Sequence, residues 1–332
     1  MKMRTPEFPK KISIGLKEGS CNLRCPMCFV QDKKNKALLN SVKGQMPFEN
    51  AKKIFNEVKS EKPMVTPHQW SEPFMMKDFC KYVRLIKSLD MPVIMHTNGL
   101  LLSDKIMKEL VEMKIDSINF SIDAVTPRTL EKIRGVRALD KIKDTVFSML
   151  RIRGNQTLPR ISTSFVVTGE NREEEKEFIS FWLQHVDMVR VNAEYKEGGS
   201  VNGMKIPEKR IPCGLIYDTI NINHRGGVTY CCLDVFSKTN LGNVLKDGVK
   251  KVWHSERFKE LRHYHETSQY DKVPFCKDCR IWMSYLVEET AISGILIRKS
   301  PLLAYYNRMD RLGSWKAGRP NGTGNNEDEA RL

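Results

Sequence analysis

Three cysteines near the amino terminus are the residues best suited to chemistry. Cys21, Cys25 and Cys28 follow the spacing C-x3-C-x2-C. Three thiolates this close in sequence can bind three irons of a cubic cluster and leave the fourth iron without a protein ligand, whereas four cysteines close the coordination. An open coordination position is typical of catalytic metal sites, because a small ligand can bind there. The spacing therefore predicts a catalytic iron–sulfur cluster.

A second set of cysteines lies in the carboxyl-terminal third of the chain: Cys213, Cys231, Cys276 and Cys279. Four thiolates, two of them spaced C-x2-C, fit either a structural zinc site or a fully ligated iron–sulfur cluster, and the residues alone leave both open. Cys232 directly follows Cys231. Because neighbouring side chains on a strand face opposite sides, the two cannot easily bind the same centre.

Composition narrows the class of protein. The 332 residues include nine cysteines, and no signal-peptide pattern is present at the amino terminus. Cysteine-rich chains without a secretory signal use thiols for metals more than for disulfides. No apolar run is long enough to span a membrane, so we expect a cytoplasmic protein. Cys80 lies at an apolar helix position and is expected to pack in the core.

The net charge of +15 has two interpretations. It favours either an anionic partner, such as nucleic acid, a phosphorylated or nucleotide-linked substrate or an acidic peptide, or a surface of solvated lysines. The lysines are scattered without interleaved aromatic residues, so the second interpretation is preferred and nucleic acid is not expected as a partner.

Strands and helices alternate over residues 12–195, which indicates a parallel sheet covered by helices. The expected strands are Ile12–Leu16, Met64–Trp70, Val93–His96, Ile115–Ile122, Ile161–Val167 and Met188–Tyr195. The first strand leads into the cysteine loop. Ser103 and Thr126 are expected to begin helices. Residues 213–280 are rich in turns, with a hairpin around residues 224–227.

Short motifs in this order resemble the radical S-adenosylmethionine (SAM) superfamily. They are the cysteine loop, Ser71-Glu72-Pro73, Thr97-Asn98-Gly99, Ser121-Ile122-Asp123-Ala124 and Arg134-Gly135. The resemblance implies a partial (β/α)6 TIM-like barrel in which SAM chelates the open iron. Reductive cleavage of SAM then gives a 5′-deoxyadenosyl radical that abstracts a substrate hydrogen.

The resemblance also implies residue roles. The backbone at Ser71, Glu72 and Pro73 would bind the amino group of SAM, although Trp70-Ser71 replaces two glycines of the family motif. Asn98 would lie at the next strand end. Ser121 and Asp123, expected to point the same way along a strand, would reach the ribose or methionine of SAM, and Arg134 would pair with its carboxylate. Met27 stands where the family usually has an aromatic residue.

The segment around Cys213–Cys279 resembles the SPASM/twitch extension of these enzymes, in particular the amino-cyclitol dehydrogenases. The resemblance implies one auxiliary 4Fe–4S cluster held by Cys213, Cys231, Cys276 and Cys279, besides the SAM-binding 4Fe–4S cluster on Cys21, Cys25 and Cys28. The expected domains are a core barrel over residues 1–200, the auxiliary domain over 201–285, a carboxyl-terminal helix over 286–313 and a disordered tail over 314–332.

Three functions follow as hypotheses. The first is an oxidoreductase that oxidises a hydroxyl-bearing small molecule, such as an amino sugar or cyclitol, with the auxiliary cluster as electron acceptor and flavodoxin or ferredoxin as electron donor. Arg190, Glu194 and Tyr195 are candidates for its base by position only. The second is a peptide epimerase or crosslinking enzyme with Cys232 as the hydrogen donor, or else as a small buried hydrophobe. Because only a short stretch precedes the first strand, we do not expect a leader-binding domain there. The third is a non-catalytic, metal-stabilised nucleic-acid binder.

Overall fold

The computed structural model describes residues 4–195, 201, 207 and 209–312. These residues form two compact units, each assembled from separate stretches of chain. The first unit comprises the described residues within 1–24, 28–93 and 195–285, and the second those within 25–27, 94–194 and 286–312. The predicted boundary near residue 200 falls among residues that are largely outside the description, so the predicted domain division stays a prediction.

The strands in chain order are β1 Lys11–Ile14, β2 Lys17–Glu18, β3 Gly44–Gln45, β4 Met64–Thr66, β5 Ile94–Thr97, β6 Ser117–Ser121, β7 Arg160–Val167, β8 Met188–Ala193, β9 Thr219–Ile222, β10 Gly227–Thr229, β11 Gly242–Asn243, β12 Glu288–Ile292, β13 Ile295–Lys299 and β14 Leu303–Arg308. The helices are α1 Lys36–Ser41, α2 Phe48–Val58, α3 Phe79–Ser88, α4 Asp104–Glu112, α5 Pro127–Arg134, α6 Leu139–Arg153, α7 Glu175–Leu183, α8 Leu215–Asp218, α9 Val244–Asp247, α10 Val249–Trp253, α11 Glu256–Glu266 and α12 Pro274–Lys277.

The first unit is built on a five-stranded sheet in the order β11-β10-β9-β1-β4. Strand β1 lies parallel to both neighbours, with Ile12 opposite Val65 on β4 and Ile220 on β9. All three side chains are fully buried. Helix α2 carries its buried residues at helical spacing, namely Ala51, Ile54, Phe55 and Val58, so it covers apolar surface with one face.

The second unit is built on a seven-stranded sheet in the order β12-β13-β14-β8-β7-β6-β5. Strands β5 to β8 are mutually parallel, and each adjacent pair is joined by a helical crossover. The predicted helix starts are confirmed, because the Ser103 and Thr126 side chains accept hydrogen bonds from the backbone N–H groups of Ile106 and Thr129. Such N-caps stabilise a helix by about 1 kcal/mol.

The prediction of a carboxyl-terminal helix over 286–313 is wrong for most of that range. Residues 288–308 form the antiparallel strands β12, β13 and β14, and β14 pairs with β8. The reason is local: β-branched residues favour strands, and Ser293 and Gly294 both have positive φ angles, of 49° and 78°. Two such residues form the tight turn of a hairpin. The predicted disordered tail over 314–332 lies outside the described residues.

Every helix within the described ranges is too short or too polar to cross a lipid bilayer.

Candidate functional site

The amino-terminal cysteine loop follows β2, so a short second strand separates it from β1. All nine cysteines lie in the described ranges, and none of them forms a disulfide bond there. Past the loop, the Gln31 N–H donates to the Cys28 carbonyl at 2.9 Å. The buried Asn35 side chain donates to the Phe29 carbonyl at 2.8 Å. These bonds fix the backbone that leaves the third cysteine.

The predicted SAM-binding segment Ser71-Glu72-Pro73 is hydrogen-bonded to the residues that directly precede this loop. The Glu72 N–H donates to the Ser20 carbonyl at 3.0 Å, and the Ser71 hydroxyl donates to the Lys17 carbonyl at 2.6 Å. The Glu72 side chain is buried and accepts from the Phe74 N–H. Two sequence segments that the motif analysis linked only by resemblance are therefore neighbours in the first unit.

Trp70 joins the same region to the second cysteine set. Its indole N–H donates to the Cys232 carbonyl at 2.6 Å. Its ring packs edge-on against Phe29 with centroids 4.7 Å apart. Sequence reasoning noted Trp70 only as a departure from a glycine motif and missed this bridging role, because a long-range hydrogen bond to a carbonyl leaves no local signal.

A second link joins the hairpin turn after β9 to the approach to the cysteine loop. The Glu18 carboxylate accepts a hydrogen bond from the His224 N–H at 2.8 Å, and it also contacts the His224 ring nitrogen Nδ1. Both side chains are buried. The segment before Cys21 therefore contacts the hairpin turn that precedes Cys231 through Glu18.

In the second unit, Asn98 lies directly after β5 at the carboxyl end of the sheet. Its side-chain oxygen accepts from the Leu100 N–H at 3.0 Å, which makes a local turn. Gly99 has a φ angle of 80°, a conformation that glycine adopts without strain. The Thr97-Asn98-Gly99 motif therefore has a clear structural function in shaping this turn.

The expectation that Ser121 and Asp123 point the same way along a strand is wrong. Strand β6 ends at Ser121, and Asp123 has a φ angle of 67°, so the strand alternation does not continue to it. Asp123 is fully buried. Its carboxylate pairs with Arg134 and accepts from the Val166 N–H at 2.8 Å. Burial raises the pKa of Asp123, while Arg134 and the Val166 N–H act to lower it.

Arg134, expected to pair with the SAM carboxylate, is therefore engaged by Asp123 and is itself buried. An ion pair in this position fixes α5 to the end of β6. Ser121 keeps partial exposure at the strand end. Of these three residues, Ser121 is the one that the structure leaves accessible to a ligand.

The second cysteine set comes together in the first unit. Cys213 and Cys231 each interact electrostatically with Cys276 and Cys279, and the latter two interact with each other. The Cys213 N–H also donates to His265 Nδ1 at 3.3 Å. Residues more than sixty positions apart in sequence thus share one small region, as the predicted ligand set requires.

Burial and mutual repulsion disfavour negative charge on these thiols. Burial, and then the neighbouring Cys279, raise the pKa of Cys276 to about 12, although Arg210 acts to lower it. The pKa of Cys231 is raised well above its usual value, first by burial and then by Cys232, Cys279 and Cys276. Deprotonated thiols this crowded require a positively charged centre to stabilise them.

The donor set fits an iron–sulfur cluster, because it consists of thiols alone and because its members are mutually close and largely buried. Within the described ranges, no three His, Cys, Asp or Glu side chains form a ready-made cage for a single metal ion. Cys80 lies on α3, away in sequence from both cysteine sets.

Comparison with known proteins agrees with this architecture. Residues 19–181 match the family model described as the radical SAM superfamily. Residues 213–280 match the model of an iron–sulfur cluster-binding domain, SPASM. The two matches cover the cysteine loop and the second cysteine set respectively.

One curated relative is the tungsten-containing aldehyde ferredoxin oxidoreductase cofactor-modifying protein of Pyrococcus furiosus. It is 25% identical over 312 residues, covering 79% of this chain and 85% of the relative. Among solved structures, BtrN in complex with AdoMet and 2-DOIA aligns with a TM-score of 0.56 and 18% identity, covering 84% of this chain and 94% of BtrN.

A second solved structure, anSMEcpe with bound AdoMet and Cp18Cys peptide, aligns with a TM-score of 0.60 and 15% identity, covering 92% and 95% of the two chains. At these identities the structural likeness concerns the fold.

The fold and the paired cysteine sets define an α/β protein with a partial (β/α)6 core and a cysteine-rich carboxyl-terminal extension, as predicted. The chain belongs to the radical SAM superfamily and carries a SPASM-type extension. It is a radical SAM enzyme, and its cofactors are SAM and iron–sulfur clusters.

Proposed function

We propose that this enzyme oxidises a hydroxyl-bearing small molecule, such as an amino sugar or cyclitol, and that an auxiliary 4Fe–4S cluster accepts the electron left after hydrogen abstraction. The observation that carries the proposal is the convergence of Cys213, Cys231, Cys276 and Cys279 into one group of neighbouring, partly buried thiols. Four thiolates complete the coordination of one cluster, and such a cluster suits electron transfer better than ligand chemistry.

Cys21, Cys25 and Cys28 are proposed to hold the other 4Fe–4S cluster. With SAM bound, that centre supplies the electron and the carbon radical for hydrogen abstraction. The chain's own part is positional. The Ser71-Glu72-Pro73 segment, fixed to Ser20 and Lys17, presents backbone groups for the amino end of SAM.

Two further points support an oxidoreductase. Cluster potentials span hundreds of millivolts according to hydrogen bonding and exposure. The two cysteine sets differ in their surroundings, because Cys213 of the second set is buried whereas Cys21, Cys25 and Cys28 are all partly exposed. A solved structure titled as binding AdoMet and 2-DOIA, a small molecule, also shares the fold over most of its length. We propose flavodoxin or ferredoxin as the electron donor.

The second candidate is a peptide-modifying enzyme, either an epimerase or a crosslinking enzyme. It is favoured by Cys232, whose thiol is next to the ligand set but is not needed to complete it. The fold match to a structure titled with a bound peptide also favours it. In this case Cys232 would donate the hydrogen atom that completes the reaction.

The test is anaerobic reconstitution with iron and sulfide, followed by dithionite and SAM. Formation of 5′-deoxyadenosine is expected, and its absence would contradict both candidates. A product that has lost two hydrogens and gained no solvent deuterium supports the oxidoreductase. Solvent deuterium at one stereocentre, lost in Cys232→Ala, supports the epimerase.

A further inference from the structure

A continuous row of side chains crosses one face of the second unit's sheet. Ser121 on β6 lies opposite Ser164 on β7, which lies opposite Arg190 on β8, and Arg190 lies opposite Tyr305 on β14. Residues opposite each other on adjacent strands share a face of the sheet. We call these four residues the polar row. It begins at the residue that the motif analysis assigned to SAM.

Arg190 is the only cation of the polar row. Its Nε donates to Asn192 Oδ1 at 2.8 Å. Its Nη1 lies 3.4 Å from His96 Nε2, and its guanidinium carbon lies 5.6 Å from the centre of the Tyr305 ring. His96 is on β5, and strands β6 and β7 separate β5 from β8. The contact therefore crosses the face of the sheet, so Arg190 lies above it.

Arg190 differs in its partners from three other arginines of the second unit, each of which pairs with a carboxylate. Arg134 and Arg153 each form an ion pair with a buried carboxylate, and Arg298 pairs with Glu289. Arg190 meets an amide, an imidazole and an aromatic ring, and within the described part of the chain no carboxylate, Glu194 included, lies within ion-pair distance of it.

A half-buried guanidinium among neutral groups is costly unless an anion pairs with it. Arg190 keeps part of its surface accessible, so a ligand can supply that anion. The guanidinium fork matches the geometry of carboxylate and phosphate oxygens, with which it forms two parallel hydrogen bonds. Asn192 accepts from Nε and His96 lies next to Nη1, so the Nη2 group and the second N–H of Nη1 remain for a ligand.

We propose that Arg190, together with His96 and Asn192, binds an anionic substituent of the substrate, a carboxylate or a phosphate. The inference rests on the proposed function for the presence of a small-molecule substrate at this sheet end. Strands β6 and β8 are about 10 Å apart. The anion would thus lie about 10 Å from Ser121, a distance that a carboxylated or phosphorylated sugar can span.

The test uses the reconstituted holoenzyme under anaerobic conditions with saturating SAM and inorganic phosphate as the probe. Thermal unfolding is followed against phosphate at constant ionic strength, and the shift in midpoint gives the dissociation constant. We expect Arg190→Gln to weaken phosphate binding at least tenfold. Arg128→Gln is the control, because it removes the same charge from an exposed position on α5 and should bind phosphate as the wild type does.

Arg190→Lys provides a second variant that keeps the charge and loses the fork. It should weaken phosphate binding less than Arg190→Gln does. Unchanged phosphate affinity in both Arg190 variants would overturn the proposal, as would an equal loss in Arg128→Gln.

The outcomes separate this inference from the proposed function. If Arg190→Gln loses phosphate binding but the enzyme places solvent deuterium in a peptide, the anion site stands and the oxidoreductase fails. If a hydroxyl group is oxidised while Arg190→Gln binds phosphate normally, the oxidoreductase stands and the anion site fails.

Discussion

At the scale of single residues, Cys231 and Cys232 differ in their neighbours although they are adjacent in sequence. Cys231 interacts with Cys276 and Cys279 as well as with Cys232. The backbone carbonyl of Cys232 is held by Trp70. On the contacts of the Cys231 thiol we propose that Cys231 is a cluster ligand and that Cys232 is not.

We therefore predict that Cys231→Ser lowers the iron content of the reconstituted protein by about half, since one of two four-iron clusters loses a ligand. Cys276→Ser should do the same, and Cys232→Ser should leave iron content unchanged. Iron and acid-labile sulfide assays check this, with Cys80→Ser as a control outside both cysteine sets. Equal iron loss in Cys231→Ser and Cys232→Ser would contradict the ligand assignment.

We expect the stability of the protein to depend on pH through the buried His68 in the first unit. Burial lowers the pKa of His68 to about 4, although a contact with the Gln69 carbonyl acts to raise it. Between pH 4 and 6.5 the unfolded chain binds a proton that the folded protein does not, so stability increases with pH in this window. We expect the free energy of unfolding to fall by about 1 kcal/mol from this residue between pH 7 and 5.5.

Urea unfolding of wild type and His68→Gln between pH 5.5 and 7.5 measures the contribution of His68 to the free energy of unfolding. The variant should show a shallower pH dependence. His263→Gln is the matched control because its side chain is exposed. A pH dependence that is identical in wild type and His68→Gln would exclude a contribution from His68.

At the scale of elements, periodicity and capping residues were sufficient for most of the α/β core. Helix α2 shows why, since its four buried residues recur at helical spacing. Strands β12 to β14 were missed because β12 has no buried face: all five of its residues are exposed, so no apolar pattern marks it. Its pairing with β13 defines it instead.

Some features of the candidate site follow from local sequence patterns, and others depend on contacts between residues far apart in the sequence. The cysteine spacing and the Ser103 and Thr126 caps are local patterns, and the sequence displays them directly. The burial of Asp123 depends on a positive φ angle and on Arg134, eleven residues away. The polar row depends on the register of four strands. Neither can be predicted from the spacing of residues along one strand, although alternating Ser162 and Ser164 on β7 do hint at a polar face.

The hairpin turn between β12 and β13 gives a prediction at this scale. A Cβ atom added at Gly294 would meet nothing within 4 Å, so a substitution there costs only the strain of the positive φ angle. We expect Gly294→Ala to lower the free energy of unfolding by about 1 kcal/mol. Gly169 is also surrounded by open space but has no positive φ angle, so Gly169→Ala should be neutral or slightly stabilising. Thermal or urea unfolding compares the two, and an equal effect would show that the turn imposes no such strain.

At the scale of the whole molecule, the net charge of +15 acts on any charged partner that approaches. A strongly basic protein attracts acidic proteins over distances comparable to the screening length, about 10 Å at 0.1 M salt. Such attraction would speed the encounter of this enzyme with an acidic flavodoxin or ferredoxin, the proposed electron donors.

We predict that the rate of cluster reduction by an acidic flavodoxin falls at least tenfold between 20 mM and 500 mM salt, concentrations chosen to span weak and strong screening. Stopped-flow absorbance of the reconstituted enzyme measures the rate. Reduced methyl viologen, a cation, is the control and should show no such fall. A rate with flavodoxin that is independent of salt would argue against electrostatic steering.

The pairing of β1 with β9 has a consequence for how the chain is made. Lys11 lies opposite Thr219, so β1, an interior strand of the first sheet, gains its second partner only when residues more than two hundred positions later have been synthesised. Likewise β8 receives β14 only when residue 308 has emerged. Contacts so distant in sequence form slowly, and during translation domains complete in order of emergence. We therefore expect the amino-terminal thiols to stay accessible to iron–sulfur carriers, and to oxygen, until nearly the whole described chain has left the ribosome.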